Sequence, residues 1–591
     1  MSQRKRRRLS SSLALAAVAV CLLLFAFAAP AIAGEPSIPK SDLPLPPSVL
    51  PVIVLQGSDF NMGVQFAQQT NQLFGPSPLK AMQRPGGFTD QQILALKAYQ
   101  WYIEKYTPEY VDTFKGIAQG ATDLRIPLSY TEVLANYVGT RAYPGTEPSG
   151  SGDETLPPTT CSAWAAWGKT TTDGKLIAAQ EMDPPWGDFG SNAYVAVMAF
   201  PSTGNAYINV CQPGQWASIP VMPGINNKGV STTGNLGGAW RGADYGGGSY
   251  GVKAGLMAHI LRVANSAADA RDIWMGFHPS GIWNMTVSDV GGNAFTVESS
   301  AAFQNVRKPG DFGEGDFIYS RNCFFTNGDA SLNGQAGKFY PHGGWALNPV
   351  MNDPPDSQSD MQMASVRTNQ TMYNFFREYA RHVDLSFAEM LFRHHGTIPA
   401  NPWDLTAFRQ TKAKYFGNPG NLNAGFVTIS QPVNGNGGTM NICTGSVGRV
   451  GLPYEAGPED DVYEVAGTHT FYALTLDADP ASVAGDSQST AERAIGVAYQ
   501  KLMWKNIGDP GYDTLNGLFD QANTEYLQGA NWLSKIRSAS GNDVLLDTSN
   551  AITCFANAEA HAQEVYEGIV HPAVQPTDLG LPNYINYEYG F

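Results

Sequence analysis

Hydrophobic and polar positions change their rhythm along the chain. Gly57 to Phe74 alternates apolar and polar residues at helical spacing. Thr89 to Tyr102 predicts a second helix, with Thr89 or Asp90 as N-cap ahead of Ile93, Leu94, Leu96 and Trp101. Helical spacing continues through Tyr110, Phe114 and Ile117, so residues 34–143 read as mostly helical after a Pro/Ser-rich lead-in from Gly34 to about Pro51. Pro144 to Thr160 is a Gly/Ser/Pro-rich stretch with nothing to bury, and it predicts an exposed, flexible linker.

From Cys161 onward the spacing is that of strands. Cys161–Gly168 and Leu176–Met182 flank Thr172-Asp173-Gly174-Lys175, and Asp-Gly between two apolar runs is a hairpin signal. Asn192–Phe200 and Asn205–Gln212 predict a second hairpin, and Gly229–Asn235 a further strand. Helices are expected at Val252–Asn265 and Ser266–Phe277, then strands at Ile282–Val290, Ala294–Glu298 and Phe317–Arg321. A helical pair near Met363–His382 and Ser386–His395 precedes strands at Gly425–Ile429, Met440–Thr444 and Thr468–Leu476. The capping box Ser489-x-x-Glu492 is expected to open a last helix. Strands, two helices, strands, two helices and strands together predict one layered domain, with sheets packed on each other and helices outside.

Composition narrows the class. The chain has 591 residues with 63 Gly and 39 Pro, loop-rich but not low-complexity, and no repeat period stands out. Lys+Arg is 37 against Asp+Glu 52, for a net charge of −15. Five of the basic side chains (Arg4, Lys5, Arg6, Arg7, Arg8) fall within residues 1–33, which hold no acid, so the remainder is more acidic still. An acidic body repels phosphate backbones and argues against a nucleic-acid partner. The basic run, the apolar stretch Leu13–Ala29 and Ala31-Ile32-Ala33 before Gly34 follow the order of a secretory signal. Its length also fits a retained signal anchor. The expected location is secreted or periplasmic.

Removing that signal takes Cys21 and leaves Cys161, Cys211, Cys323, Cys443 and Cys554. An odd number in an exported protein points to one thiol outside any disulfide. With Cys161 as that thiol, the other four allow two disulfides; five buried reduced cysteines are the alternative. Familiar catalytic motifs are missing: there is no His-Glu-x-x-His, no Gly-x-Ser-x-Gly and no complete phosphate loop, and the nine histidines lack zinc-ligand spacing. No metal and no cofactor is expected. What remains is Cys161, directly after the linker and at the head of a strand. A cut between Thr160 and Cys161 would give one residue both a thiol and an α-amine. A thiol titrates near about 8.5 and needs a base at neutral pH, and an α-amine near about 7.7–8.0 can accept its proton, which an amide cannot.

The motifs around that cysteine resemble a known group. Thr160-Cys161-Ser162-x-Trp164, Thr172-Asp173-Gly174-Lys175 and Gln180-x-x-Asp183 resemble the choloylglycine hydrolase/penicillin acyltransferase group of N-terminal nucleophile (Ntn) hydrolases. Gln180, three residues before the Asp, is similar to the isopenicillin-N acyltransferase branch (peptidase family C45). Upstream, Gly57-Ser58-x-x-x-Met62-Gly63-x-Gln65 and Pro108-x-Tyr110 leading to Gly116-Ile117-Ala118 resemble its prosegment. Downstream, Gly224-Ile225-Asn226-x-x-Gly229 through Asn235, then Glu298-Ser299, Ser320-Arg321-Asn322 and Ser365-Val366-Arg367 follow in the family's order. The sequence departs from the pattern at Thr160, where the family often has Gly, and at Cys323, where it has His.

The resemblance implies an α+β fold, a four-layer αββα sandwich of the Ntn hydrolase type preceded by a mostly helical prosegment. It divides the chain into a signal (1–33), prosegment (34–143), cleavable linker (144–160), Ntn core (161–480) and a C-terminal helical extension packed on the core (481–591). It implies Cys161 as nucleophile and base, Asp183 as the anchor of its ammonium, and Asn235 and Asn322 as oxyanion donors. Arg367, Ser365 and Gln180 would lie near substrate. The implied activity is hydrolysis or acyl transfer at linear amide C–N bonds, on a small-molecule N-acyl substrate, with the two processed chains staying associated. Phospholipase B-like proteins share the Cys-Ser-Ala start, and the aromatic content suits an inactive exported ligand-binding protein; both are the competing readings.

Overall fold

The computed structural model describes residues 50–138, 161–182, 194–236, 256–277, 283–299, 304–321, 372–392, 426–444, 471–476 and 480–570, with single positions and short stretches inside these ranges excepted. These residues belong to one compact unit, Leu45–Phe591. The expected signal (1–33), the expected linker (144–160) and most of the expected helical pair lie outside them.

The fold is mixed α+β, built on two sheets. One has eight strands in the order β1 (Val52–Gly57), β4 (Val195–Pro201), β5 (Tyr207–Cys211), β6 (Gly224–Asn226), β7 (Val230–Leu236), β8 (Trp283–Asp289), β9 (Ala294–Ser299) and β10 (Gln304–Arg307). The other has six, in the order β11 (Phe317–Arg321), β2 (Ser162–Ala166), β3 (Ile177–Met182), β12 (Phe426–Val433), β13 (Gly437–Thr444) and β14 (Tyr472–Leu476). Neighbours run antiparallel except β1 and β4, which are parallel. The β2–β3 hairpin turns through Gly174 at φ 79°, the left-handed region that the Asp-Gly signal demanded.

Strand β1 departs from the sequence expectation, which placed only helix and loop ahead of residue 143. Val52 to Leu55 form a continuous apolar run buried on both faces, and alternation gives such a run no signature. Its inward residues Val52 and Val54 join the layer between the sheets, while Ile53 and Leu55 meet the helices outside. Those helices are α1 (Asp59–Phe74), the single turn α2 (Ser77–Lys80), α3 (Asp90–Tyr106), α4 (Glu109–Asp123) and α5 (Tyr130–Val138). Helix α3 opens on a capping box in which Thr89 and Gln92 satisfy each other's backbone N–H. Helices α1 and α4 cross at glycines. A Cβ on Gly63 would lie 2.1 Å from the Thr113 carbonyl oxygen, and one on Gly116 would lie 2.0 Å from that of Phe60. The glycines of the Met62-Gly63 and Gly116-Ile117 motifs are therefore a packing requirement.

Two more helices, α6 (Leu256–Val263) and α7 (Ala267–Met275), cover the same sheet over β7, β8 and β9, through Leu256, Ile260 and Trp274 against Met285, Val287 and Val297. The outer face of the six-stranded sheet is covered by Met372, Phe376, Phe387 and Phe392, packed on Trp164, Tyr319 and Val427. Three C-terminal helices, α8 (Pro480–Leu502), α9 (Tyr512–Ile536) and α10 (Asn542–Val570), bring Val483, Ala484, Ile552 and Phe555 against β1, β13 and β14. Helix α8 runs through Ser489, whose hydroxyl bonds back to the Gly485 carbonyl at 3.1 Å. The capping box expected there is corrected: Ser489 sits mid-helix, and the helix starts at Pro480, a residue suited to a first turn.

Of the two readings of the cysteines, the described residues favour the reduced one, and Cys323 lies outside them. Cys161, Cys211, Cys443 and Cys554 are in no disulfide. Cys211 packs outside the larger sheet, Cys443 outside the smaller one, and Cys554 lies in α10, so three different layers separate them.

Candidate active site

Cys161 stands immediately before β2 and is 4 % exposed. Alternation assigns Cys161, Ala163 and Ala165 to one face of β2 and Ser162, Trp164 and Ala166 to the other. Trp164 and Ala166 pack in the outer cluster, whereas Ala165 packs on Ala294 of the facing sheet. Cys161 therefore belongs to the row that looks into the layer between the sheets.

That row is set by register. Ala163 is paired with Ser320 of β11 on one side and Gln180 of β3 on the other, and Gln180 is paired with Thr428 of β12. The Gln180 carboxamide oxygen accepts the backbone N–H of Gly234 at 2.7 Å, tying β3 of one sheet to β7 of the other. The next residue, Asn235, donates from Nδ2 to the Ser320 Oγ at 2.9 Å, and its Oδ1 accepts from Asn284 Nδ2 at 2.8 Å. Ser320 Oγ also lies 3.1 Å from the Thr286 hydroxyl, which lies 2.9 Å from that of Thr296. All of these side chains are buried. Both amide ends of Asn235 are thus held by named partners, one from each sheet.

Charge is gathered further along the same layer. Arg307 of β10 is buried between Glu314, 2.7 Å from its Nη1, and Glu298, 3.6 Å from its Nε, and it donates to the Tyr319 carbonyl of β11. On the other face of β2, the Ser162 hydroxyl donates to the buried carboxylate of Glu181 at 3.0 Å. Among the described residues, no group of three or more His, Cys, Asp or Glu is placed to hold a metal ion.

Of the residues singled out in the sequence, Cys161, Gln180 and Asn235 are therefore brought to one inter-sheet layer. Asp183 follows Met182, the last residue of β3, and Asn322 follows Arg321, the last of β11. Both lie outside the described residues, as do Thr160, Ser365 and Arg367. Sequence reasoning missed Asn284, Thr286 and Arg307. The signal for Asn284 and Thr286 is the alternation of β8, polar at 284, 286 and 288 and apolar at 285 and 287, which reads equally well as a strand with one face in water; Arg307, at the end of the short β10, has no such signal.

No family model matches the chain, and no curated protein matches it. Among solved structures it is similar to the Caenorhabditis elegans ortholog of N-acylethanolamine-hydrolyzing acid amidase. That likeness has 13 % identity over 46 % of this chain and 92 % of the other, with a TM-score of 0.28. It is also similar to penicillin V acylase from Agrobacterium tumefaciens, at 12 % identity over 48 % of this chain and 83 % of that one, TM-score 0.28. A variant of conjugated bile acid hydrolase from Clostridium perfringens matches at 12 % identity, 48 % and 89 % coverage and a TM-score of 0.25.

Proposed function

We propose that this chain is an exported, self-processing cysteine amidohydrolase of the Ntn type, acting on linear amide C–N bonds of small N-acyl substrates. The observation that carries the reading is the seat of Cys161. It is buried at the head of β2, directly after the Gly/Ser/Pro-rich stretch, in the row facing the second sheet, the same row in which Ala163 is in register with Ser320, the partner of the Asn235 carboxamide. In this reading the layers are those of a four-layer αββα sandwich.

Cleavage of Thr160–Cys161 frees the α-amine. The Cys161 sulfur adds to the substrate carbonyl while the amine takes the thiol proton. The S–C bond forms, and the tetrahedral oxyanion is met by N–H groups of Asn235 and Asn322. As the C–N bond breaks, the α-ammonium returns the proton to the leaving amine, and a thioester remains. Water then adds to the acyl carbon and gives a proton to the α-amine. The S–C bond breaks, the carboxylic acid leaves, and the proton returns to sulfur. Asp183 anchors the ammonium by a charge-assisted bond, Arg367 and Ser365 meet the substrate, and Gln180 sets the height of the Gly234–Asn235 segment. No cofactor enters these steps.

The two chains left by the cut stay associated. β1 pairs with β4 over six residues, Asp59 is ion-paired with Arg262, and Glu109 lies 2.6 Å from His259. Intact mass spectrometry and N-terminal sequencing of the purified protein test the reading. A chain beginning at Cys161, absent from Cys161→Ala, is expected. A single chain that behaves as Cys161→Ala does overturns it.

A further inference from the structure

Strand β1 is an edge of the eight-stranded sheet, and an edge strand leaves one row of backbone N–H and C=O groups without a strand partner. The carbonyls of Pro51 and Gly57 accept from the N–H groups of Ala196 and Ser202, in and just after β4. By alternation, the backbone groups of Val52, Val54 and Gln56 turn to the outer side. That outer row is filled by side chains. Gln69 of α1 accepts the Val54 N–H at 2.8 Å and donates to the Val54 carbonyl at 2.6 Å. One turn earlier on the same helix, Gln65 does the same for Gln56, at 2.8 and 3.0 Å. A backbone N–H only donates and a carbonyl only accepts, so these contacts fix the orientation of both carboxamides. Two glutamines four residues apart thus take the place of a neighbouring strand and join β1 and α1 into one unit.

The remaining outward carbonyl, that of Val52, accepts from the hydroxyl of Ser549 in α10, and both residues are buried. Asn550, the next residue, is hydrogen-bonded to Gln72 of α1 at 2.9 Å. Asn542, at the start of α10, accepts from Gln65 Nε2 at 3.2 Å. Leu545, Ile552 and Phe555 of α10 pack in the same apolar cluster as Val52 and Val54. β1 therefore lies between β4 on one side and α10 on the other. Both flanks come after Cys161 in the chain, whereas β1 and α1 come before it. A cut at Thr160–Cys161 puts the unit and its two flanks in different chains.

We propose that α10 is a clasp, whose face around Ser549 and Asn550 fits the β1–α1 unit and retains the N-terminal chain after processing. The inference rests on the proposed cut, and it gives the C-terminal helices a function that the chemistry at Cys161 does not use. Loss of the Ser549 hydroxyl leaves a buried carbonyl without its donor, which costs more than the bond itself contributes.

The test uses full-length Cys161→Ala protein carrying the recognition site of a specific protease within residues 144–160, so the cut does not depend on self-processing. Release of the N-terminal chain after the cut and dilution is followed in time by size-exclusion chromatography. Ser549→Ala combined with Asn550→Leu is expected to speed release by about 10-fold or more, because lost contacts appear chiefly in the dissociation rate. Ser549→Ala alone removes a single oxygen, serves if the double variant does not fold, and is expected to speed release by about 3-fold or more. Thr548→Ala is the control. That buried hydroxyl bonds to the Val544 carbonyl within α10 itself, at 2.7 Å, and its loss is expected to leave the rate unchanged.

An unchanged rate in both Ser549 variants overturns the clasp. So does equal acceleration by Thr548→Ala, which would mark the stability of α10 and not its grip on β1. Failure of the unmodified protein to cut itself sinks the proposed function but not the grip of α10, which the protease-cut protein measures independently.

Discussion

The layer between the two sheets is divided. Under β1, β4, β5 and β6 it is apolar: Val54, Met198, Ile208 and Ile225 meet Phe426, Met440, Ile442 and Leu474. Under β7 to β10 it is mostly polar, apart from a small apolar cluster of Ala165, Ala178, Ala294 and Ile318: Thr233, Asn235, Asn284, Thr286, Thr296, Glu298 and Arg307 face the row of Ser320 and Gln180. Both halves are buried to the same degree, so burial alone does not distinguish a core from a site. The apolar half gains stability from area removed from water. The polar half gains little net, because each of its hydrogen bonds replaces one to water, yet breaking any one leaves a buried group without a partner. One half holds the two sheets together by apolar packing, and the other joins them by buried hydrogen bonds.

The largest effect expected from breaking this contrast is at Arg307. Arg307→Ala leaves Glu298 and Glu314 buried without their cation and should cost about 3–5 kcal/mol in denaturant unfolding. Replacing all three by apolar residues of similar volume should recover most of that loss. A triple variant as unstable as the single one would show that the charges, and not their mutual pairing, hold the layer. In the apolar half, Ile442→Ala should cost about 2–5 kcal/mol by the same measurement. At temperatures where the variant stays folded, it should leave the alkylation rate of Cys161 unchanged. A change in that rate would mean that the two halves are mechanically one.

A smaller effect is expected at the border. Thr428 of β12 is paired with Gln180, and its buried hydroxyl has no hydrogen-bond partner among the described residues. Thr428→Val should be neutral or stabilising by up to about 1 kcal/mol. Destabilisation would show that an ordered water satisfies the hydroxyl, and would move the border by one strand.

The smallest effect concerns neither half but the C-terminal helices that close the apolar edge. Burial pushes the Glu525 carboxyl up, against the opposing pull of His561 and hydrogen bonds from Asn557 and Cys554. Because its folded value lies above its unfolded one, the folded state binds more protons in that window, and stability falls as pH rises through it. Glu525→Gln should flatten the dependence of the unfolding midpoint on pH above about 4.5, the ordinary carboxylate value. An unchanged slope would place the titrating group elsewhere. Burial, then the Glu525 carboxylate, also raises the Cys554 thiol, which makes it a poor nucleophile beside Cys161.

Much of the architecture was legible one element at a time. The Asp-Gly turn announced the β2–β3 hairpin, and Thr89 capped the helix it was expected to cap. The Ser489 capping box misled because Ser-x-x-Glu also occurs inside helices, where the hydroxyl bonds to the carbonyl four residues back. β1 escaped notice because an apolar run buried on both faces has no alternation to betray it. Of the candidate site, Cys161, Gln180 and Asn235 were legible because motif order marks them individually.

The sequence by itself determined local geometry and chemistry. It placed a cysteine after a Gly/Ser/Pro-rich stretch, set hairpin turns where glycine must turn left-handed, and gave β7 and β8 polar residues at every second position. Only the tertiary structure decided that those polar faces meet each other rather than water. Alternation fixes which side chains share a face but not what the face meets, since the partner strands lie up to 85 residues away, as Ser320 does from Asn235. The same limit applies to the Asn235 carboxamide: its contacts with Asn284 and Ser320 exist only once β7, β8 and β11 are brought together.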